Sequence, residues 1–385
     1  MDASPGERLD PPHPRRHASE AFGGARELGL TMRLPTTATT RCTAQPGAHR
    51  LASRGKKTLS SVDELLDRAD RRAPVSARSR LLCAGLGVLA EDAYTALGGD
   101  ARREEVGHAA ALLSLLTKVD DEVIDARRFH RGPLRTTGHR ELREATREYL
   151  APTLRSLHAA YPVADQPRCE LAAEVGRSLR GLAATPARLD ALLQVITTGW
   201  EVQVDAVDIL SRHPEQSTSF EVARVTAAIS GYWLLMITMI GALPVEAERM
   251  LSPTEQQAFV RWGWYIQRAD ALADFGKDAQ AGLANSWAGY VLYERARDEY
   301  TEALRAGDTS RLYRLLRDSE ADVTCVPASE APLLRAASEL EQLGGVPAWL
   351  RWIHGMLTQR YVTHAEVGGR VPQRLSALAI DPREG

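Results

Sequence analysis

Residues 262–278 read WGWYIQRADALADFGKD, and three aspartates in that run, Asp270, Asp274 and Asp278, recur at steps of four. On an α-helix a step of four places one side chain a turn above the last. The run therefore predicts a helix carrying a carboxylate ladder about 12 Å long. The same period governs the rest of the chain. From about Ser60 onward Ala, Leu, Arg and Glu dominate, and apolar residues return at three and four. Helices are expected near 60–70, 75–97, 101–127, 136–160, 167–182, 186–212, 218–241, 252–279, 285–305, 308–318, 328–343 and 346–365. Breaks fall at GGD (98–100), HRGP (130–133), YPVADQP (161–167), ATP (184–186) and ALPVE (242–246). No alternating strand pattern and no internal repeat interrupts them, so the expected fold is all-α, a single helical bundle over 61–385.

Residues 1–60 differ. They hold six prolines and little apolar periodicity, with ten basic against five acidic residues. Such a stretch buries too little apolar surface to offset chain entropy, and a disordered extension is expected. It lacks the apolar core of a secretory signal. The whole chain, 385 residues at 44% apolar and 25% charged with a formal charge of −2, reads as a globular protein. That balance argues against a nucleic-acid binder, which would carry a strongly basic domain. Cys42, Cys83, Cys169 and Cys325 are far apart with no CxxC spacing, which disfavours zinc and disulfide frameworks and fits a cytoplasmic setting. The run VTAAISGYWLLMITMIGALPV (225–245) has no charge and is long enough to span a bilayer. Its Thr226, Ser230, Gly231, Thr238 and Gly241 fit better the centre of a large bundle.

A second acidic run, ALLSLLTKVDDEVIDARR (111–128), carries Asp120, Asp121, Glu122 and Asp125, with Asp121 and Asp125 one turn apart. Like charges at this spacing repel by about 0.2–0.5 kcal/mol per pair. Each run by itself reads as well as a solvated helix face; both together, each following an apolar stretch, point to a cation site. Oxygen donors without His or Cys suit Mg²⁺, which keeps waters and bridges carboxylates to substrate phosphates. Only four of the 48 basic residues are lysines, and two of these, Lys118 and Lys277, stand beside the two runs as candidate phosphate partners. In TTGWEVQVDAVD (197–208), Glu201, Asp205 and Asp208 share a face. Asp208 reads as solvated. Glu201 and Asp205 read either as further metal or diphosphate contacts or as the outer side of a helix. Tyr232, Trp233, Trp262, Trp264 and Tyr265 are candidates for a cavity wall that favours a carbocation, or for plain core.

At these runs the chain resembles the squalene/phytoene synthase family, of the class I isoprenoid synthase fold. TKVDDEVID looks like its first Asp-rich motif, with Asp121 and Asp125 as the DxxxD pair and Lys118 at a position that is usually basic. QRADALADFGKDAQAG looks like the second, with Asp274 and Asp278 as DxxxD and Asp270 in place of an Asn. AAISGYWLLMITMIG is similar to the family's central helix, and TGWEVQVD to the segment preceding it. The resemblance implies Mg²⁺ held by Asp121, Asp125, Asp270, Asp274 and Asp278, and loss of diphosphate from an allylic prenyl donor. Lys118 and Lys277 would contact the diphosphate.

Three departures stand out. Ala93-Tyr94 replaces a Ser-Phe, no Tyr occupies Val225 to Ala227, and Leu283-Ala284-Asn285-Ser286-Trp287 replaces an Arg-x-Tyr-x-Pro. In the family these features serve a second prenyl diphosphate, so an aromatic acceptor is expected over head-to-head coupling. A terpene cyclase and a non-catalytic helical protein are the other readings. Lipophilic substrates imply peripheral contact with a membrane.

Overall fold

The computed structural model describes residues 77–131, 139–211, 219–245, 251–281, 283–287 and 296–318. The expected extension 1–60 and the helices expected at 60–70, 328–343 and 346–365 lie outside them. Among the described residues the chain is all-α: α1 (Ala77–Ala96), α2 (Arg103–Arg131), α3 (His139–Ala159), α4 (Pro167–Leu182), α5 (Pro186–Leu210), α6 (Ser219–Ala242), α7 (Pro253–Ala273), α8 (Phe275–Ala281), α9 (Arg297–Arg305) and α10 (Thr309–Asp318).

Local chemistry sets several of these ends. Pro167, Pro186 and Pro253 open α4, α5 and α7, where a missing N–H costs no helical bond. The α7 N-terminus is closed by a capping box. Ser252 Oγ accepts from Glu255 N at 3.3 Å, and the Glu255 carboxylate accepts from Ser252 N at 2.7 Å. Between α9 and α10, Gly307 adopts φ +65°, a left-handed turn that a side chain would oppose.

The uncharged run forms α6 and lies at the centre of the bundle, packed on α7, α5, α1 and α2. By length and composition α6 is apolar enough to cross a membrane. Here its Leu234, Ile237 and Ile240 are buried against neighbouring helices, each contributing about 1.5–3 kcal/mol. Two glycines fix the crossing of α6 and α7. A Cβ on Gly263 would stand 2.2 Å from Gly231 N, and one on Gly231 would stand 2.7 Å from Val260 Cα. The two backbones therefore touch.

The structure differs from the sequence expectation in two places. The helix expected over 252–279 ends at Ala273; Asp274 caps it with φ −95° and ψ 1°, and α8 begins at Phe275. Hydrogen bonds Asp274 N to Asp270 O (2.8 Å) and Asp278 N to Asp274 O (2.9 Å) carry the four-residue step across the break. The reason for the break is tertiary. Gly276 N–H donates to the Tyr313 hydroxyl at 3.2 Å, and a Cβ on Gly276 would stand 2.5 Å from Thr309 Cγ2. So α8 is drawn onto α10, with Phe275 packed on Tyr300 and Tyr313. The second difference is that the helix expected over 285–305 is interrupted: Ser286 and Trp287 are helical, but Ala296 is not, with φ −147° and ψ 42°, and α9 begins at Arg297.

Candidate functional site

The two acidic runs open onto one cavity of about 260 Å³. α2 contributes Lys118 and Asp121, and α7 contributes Gln267 and Asp270. Asp274 stands at the break, and α8 contributes Lys277 and Asp278. Trp200, Trp233, Met236 and Ile266 supply apolar wall. Asp125 lies one turn beyond Asp121 on α2; its side chain lies outside the described residues, as do those of Trp264 and Tyr265.

Each carboxylate is aimed by a neighbour. Asp121 Oδ2 accepts from Lys118 Nζ at 2.9 Å, and its Oδ1 accepts from Gln203 Nε2 at 3.3 Å. Ser230 Oγ donates to Gln267 Oε1 at 2.5 Å, and Gln267 Nε2 donates to Asp270 Oδ2 at 3.3 Å. The Gly231–Gly263 contact brings this relay together, since Ser230 and Gln267 flank it. Lys277 Nζ lies 3.4 Å from Asp274 Oδ2. Asn285 Nδ2 donates to Asp278 Oδ2 at 2.8 Å and to Ala271 O at 2.9 Å, and its Oδ1 accepts from Trp287 N at 2.9 Å.

Lys118 sits between the two runs. Asp121 above all, with Asp270 adding, raises its ammonium pKa above the ordinary lysine range against the opposing effect of burial. Its Nζ also lies 5.5 Å from the Trp233 ring centroid, within cation–π reach. Asp120, next to Asp121, turns away from the cavity and is wholly buried. Burial pushes its carboxyl up to about 7, although Arg168, the Tyr149 hydroxyl and the Trp200 indole N–H all favour the charged form. Neither of its oxygens closes a hydrogen bond of ordinary geometry, which fits burial prevailing.

Several expected site residues lie elsewhere. Glu201 and Asp205 are exposed and off the cavity wall, and Asp205 pairs with Arg143. The phase of α5 explains this: Trp200, Gln203, Val204, Val207 and Leu210 form its buried stripe, which leaves 201 and 205 outside. Tyr232 lies beside Gly199 and is not in the lining, whereas Trp233 is. Trp262 is core. Ala93 and Tyr94 are buried residues of α1, away from the wall.

Gln203, Ser230, Gln267 and Asn285 were not expected as site residues. The signal for Gln203 was an amide on the apolar stripe of a helix, and for Asn285 its place among the departures.

The donor set can be tested against Mg²⁺. Among the described residues no three His, Cys, Asp or Glu side chains cluster closely enough to hold an ion unaided. The cavity offers separate hard carboxylates and two ammoniums. That arrangement fits an ion which keeps water and completes its shell with substrate phosphate, and does not fit an all-protein cage.

No protein-family model matches the chain, and no curated protein matches it. Among solved structures, the geranylgeranyl pyrophosphate synthetase from Pyrococcus horikoshii Ot3 is similar at a TM-score of 0.41 and 13% identity, over 86% of this chain and 95% of that one. The likeness is distant.

Proposed function

We propose that the chain is a Mg²⁺-dependent prenyltransferase of the class I isoprenoid type, moving an allylic prenyl group from its diphosphate to an aromatic acceptor. One observation carries this reading: acidic runs about 150 residues apart meet across one cavity with an ammonium between them, above a wall that includes Trp200 and Trp233.

Asp121, Asp125, Asp270, Asp274 and Asp278 are the residues that would hold Mg²⁺, and the ion would neutralise charge on the departing diphosphate. Lys118 and Lys277 place two further positive charges at the same end. The C–O electron pair leaves with the diphosphate; the acceptor carbon then bonds to the allylic carbon and loses a proton, which the diphosphate takes. Gln203 and the Ser230–Gln267 relay keep Asp121 and Asp270 oriented. The apolar wall keeps water from the cation, and the Trp233 face favours positive charge.

The aromatic acceptor is supported by where the departures fall. Thr226, Leu283, Ala284 and Asn285 line the cavity, whereas Ala93 and Tyr94 do not, so two of the three departures include residues that a second substrate would meet. Lipophilic substrates fit a cytoplasmic enzyme working against a membrane surface. The test is Mg²⁺-dependent diphosphate release from C5, C10, C15 and C20 allylic diphosphates, each with and without aromatic acceptors. Acceptor-dependent release is expected. Release without acceptor would replace this reading with a cyclase or head-to-head synthase, and no release under any condition would refute catalysis.

A further inference from the structure

Each acidic run carries its own counter-ion three residues from a carboxylate, before it in the first run and after it in the second. Lys118 is three residues from Asp121 and 2.9 Å from its carboxylate; Lys277 is three residues from Asp274 and 3.4 Å from it. Nothing in helix formation asks for lysine at these places in a chain whose cations are otherwise almost all arginine. The two cations differ physically. An arginine fork clamps a carboxylate in two bonds, whereas an ammonium is a point charge on a flexible stem that passes readily from one oxygen to another.

The cavity charge explains why transfer would matter. Four described carboxylates, Asp121, Asp270, Asp274 and Asp278, face two ammoniums. A divalent cation arriving alone meets Asp121 and Asp274 with an ammonium already against them. A diphosphate arriving alone meets a wall of net negative charge. Together each removes the other's obstacle, because the diphosphate draws off the ammoniums and the cation takes the carboxylates.

We propose that Lys118 and Lys277 are transferable counter-ions, which hold Asp121 and Asp274 in the empty cavity and pass to the diphosphate as those carboxylates take a divalent cation. Metal and diphosphate therefore bind weakly alone and tightly together, and by linkage each strengthens the other by the same factor. This rests on the metal–diphosphate reading above.

The test uses the full chain, Mn²⁺ uptake read by electron paramagnetic resonance, and inorganic pyrophosphate as the anion, with Mn²⁺–pyrophosphate formed in buffer subtracted. In the wild type, pyrophosphate is expected to tighten Mn²⁺ binding about tenfold or more, within the usual range of such couplings. Lys118→Met and Lys277→Met are expected to bind Mn²⁺ alone several-fold more tightly than the wild type, and to lose most of the tightening by pyrophosphate. Lys277 is half-exposed, so its variant tests the idea without threatening the fold. Unchanged or weaker Mn²⁺ binding in the lysine variants, with wild-type uptake still dependent on Asp121 and Asp274, would overturn the transfer and leave the metal site standing. Equal uptake by wild type and an Asp121→Asn, Asp274→Asn double variant would overturn both.

Discussion

Gly263→Ala adds one methyl group where α6 and α7 touch. The new Cβ would stand 2.2 Å from Gly231 N, 2.4 Å from Gly231 Cα and 2.7 Å from Ala227 O, all of them backbone atoms. Ordinary contact begins at 3.4 Å, so the helices must part by 1.2 Å (3.4 less 2.2) at the crossing. Inserting a methyl into a filled core costs about 1–3 kcal/mol, and backbone obstruction puts this site at the upper end. Helix propensity returns about 1 kcal/mol for Gly to Ala. The net loss is about 2 kcal/mol, or roughly 4–8 °C in melting temperature at about 2–4 °C per kcal/mol.

The same parting separates Ser230 from Gln267 and so frees Asp270 from its relay. Diphosphate release should then fall by about 10–100-fold, the usual cost of losing a group that orients a metal ligand. Gly181→Ala is the control: a Cβ there meets nothing within 4 Å, and its melting temperature should hold or rise. Calorimetry together with a diphosphate-release assay reads both effects. A Gly263→Ala protein that melts with the wild type would refute the crossing argument. One that melts low but keeps full release would refute the link from crossing to site.

Asp121→Asn and Asp274→Asn should each cut Mg²⁺-dependent diphosphate release by more than about 100-fold, with melting temperatures close to wild type; retained activity in both would count against the site. Asn285→Ala removes three hydrogen bonds from a buried amide and should cost about 2–3 kcal/mol, read by urea denaturation, and raise the KM for the donor by loosening Asp278. Asp120 gives a pH signature. Its folded pKa, about 7, lies above the ordinary aspartate value of 3.8, so the folded state holds the proton more tightly. Its contribution to stability is full below about 4 and is lost as pH rises to about 7. The slope is on the order of one kcal/mol per pH unit, and Asp120→Asn should flatten it in melts between pH 4 and 8; an unchanged slope would place the titration elsewhere.

Legibility in the sequence followed locality. α4 has the bounds its sequence predicts, because Pro167 opens it and the period runs uninterrupted to Leu182. The carboxylate ladders were legible for the same reason, since a step of four is a local property. The break at Asp274 was not. It depends on Tyr313, nearly forty residues on, whose hydroxyl takes the Gly276 N–H. The wall contributed by α5 was left open in the sequence, because charge and helical phase pointed to different residues. Glu201 and Asp205 attracted notice as carboxylates, yet helical phase faces the neutral Gln203 inward. Trp233 and Tyr232 are adjacent, and which of them lines the cavity depends on the rotation of α6, which its neighbours set. The Gly231–Gly263 contact lies beyond any single-helix pattern, because neither glycine has meaning without the other.

The stop at Asp274 divides authority over the second acidic run. Asp270 is held by the central bundle, through a relay anchored on α6. Asp278 rides on α8, tethered by Asn285 and seated on α10 through Gly276 and Phe275. The spacing between these two oxygen donors is therefore tuned from the periphery. A substitution at Tyr313 or Thr309, neither of which lines the cavity, changes the reach of Asp278 and leaves Asp270 in place. Evolution or an engineer thus has two separate dials on the distance between these carboxylates, and the outer one turns without touching a residue of the cavity wall.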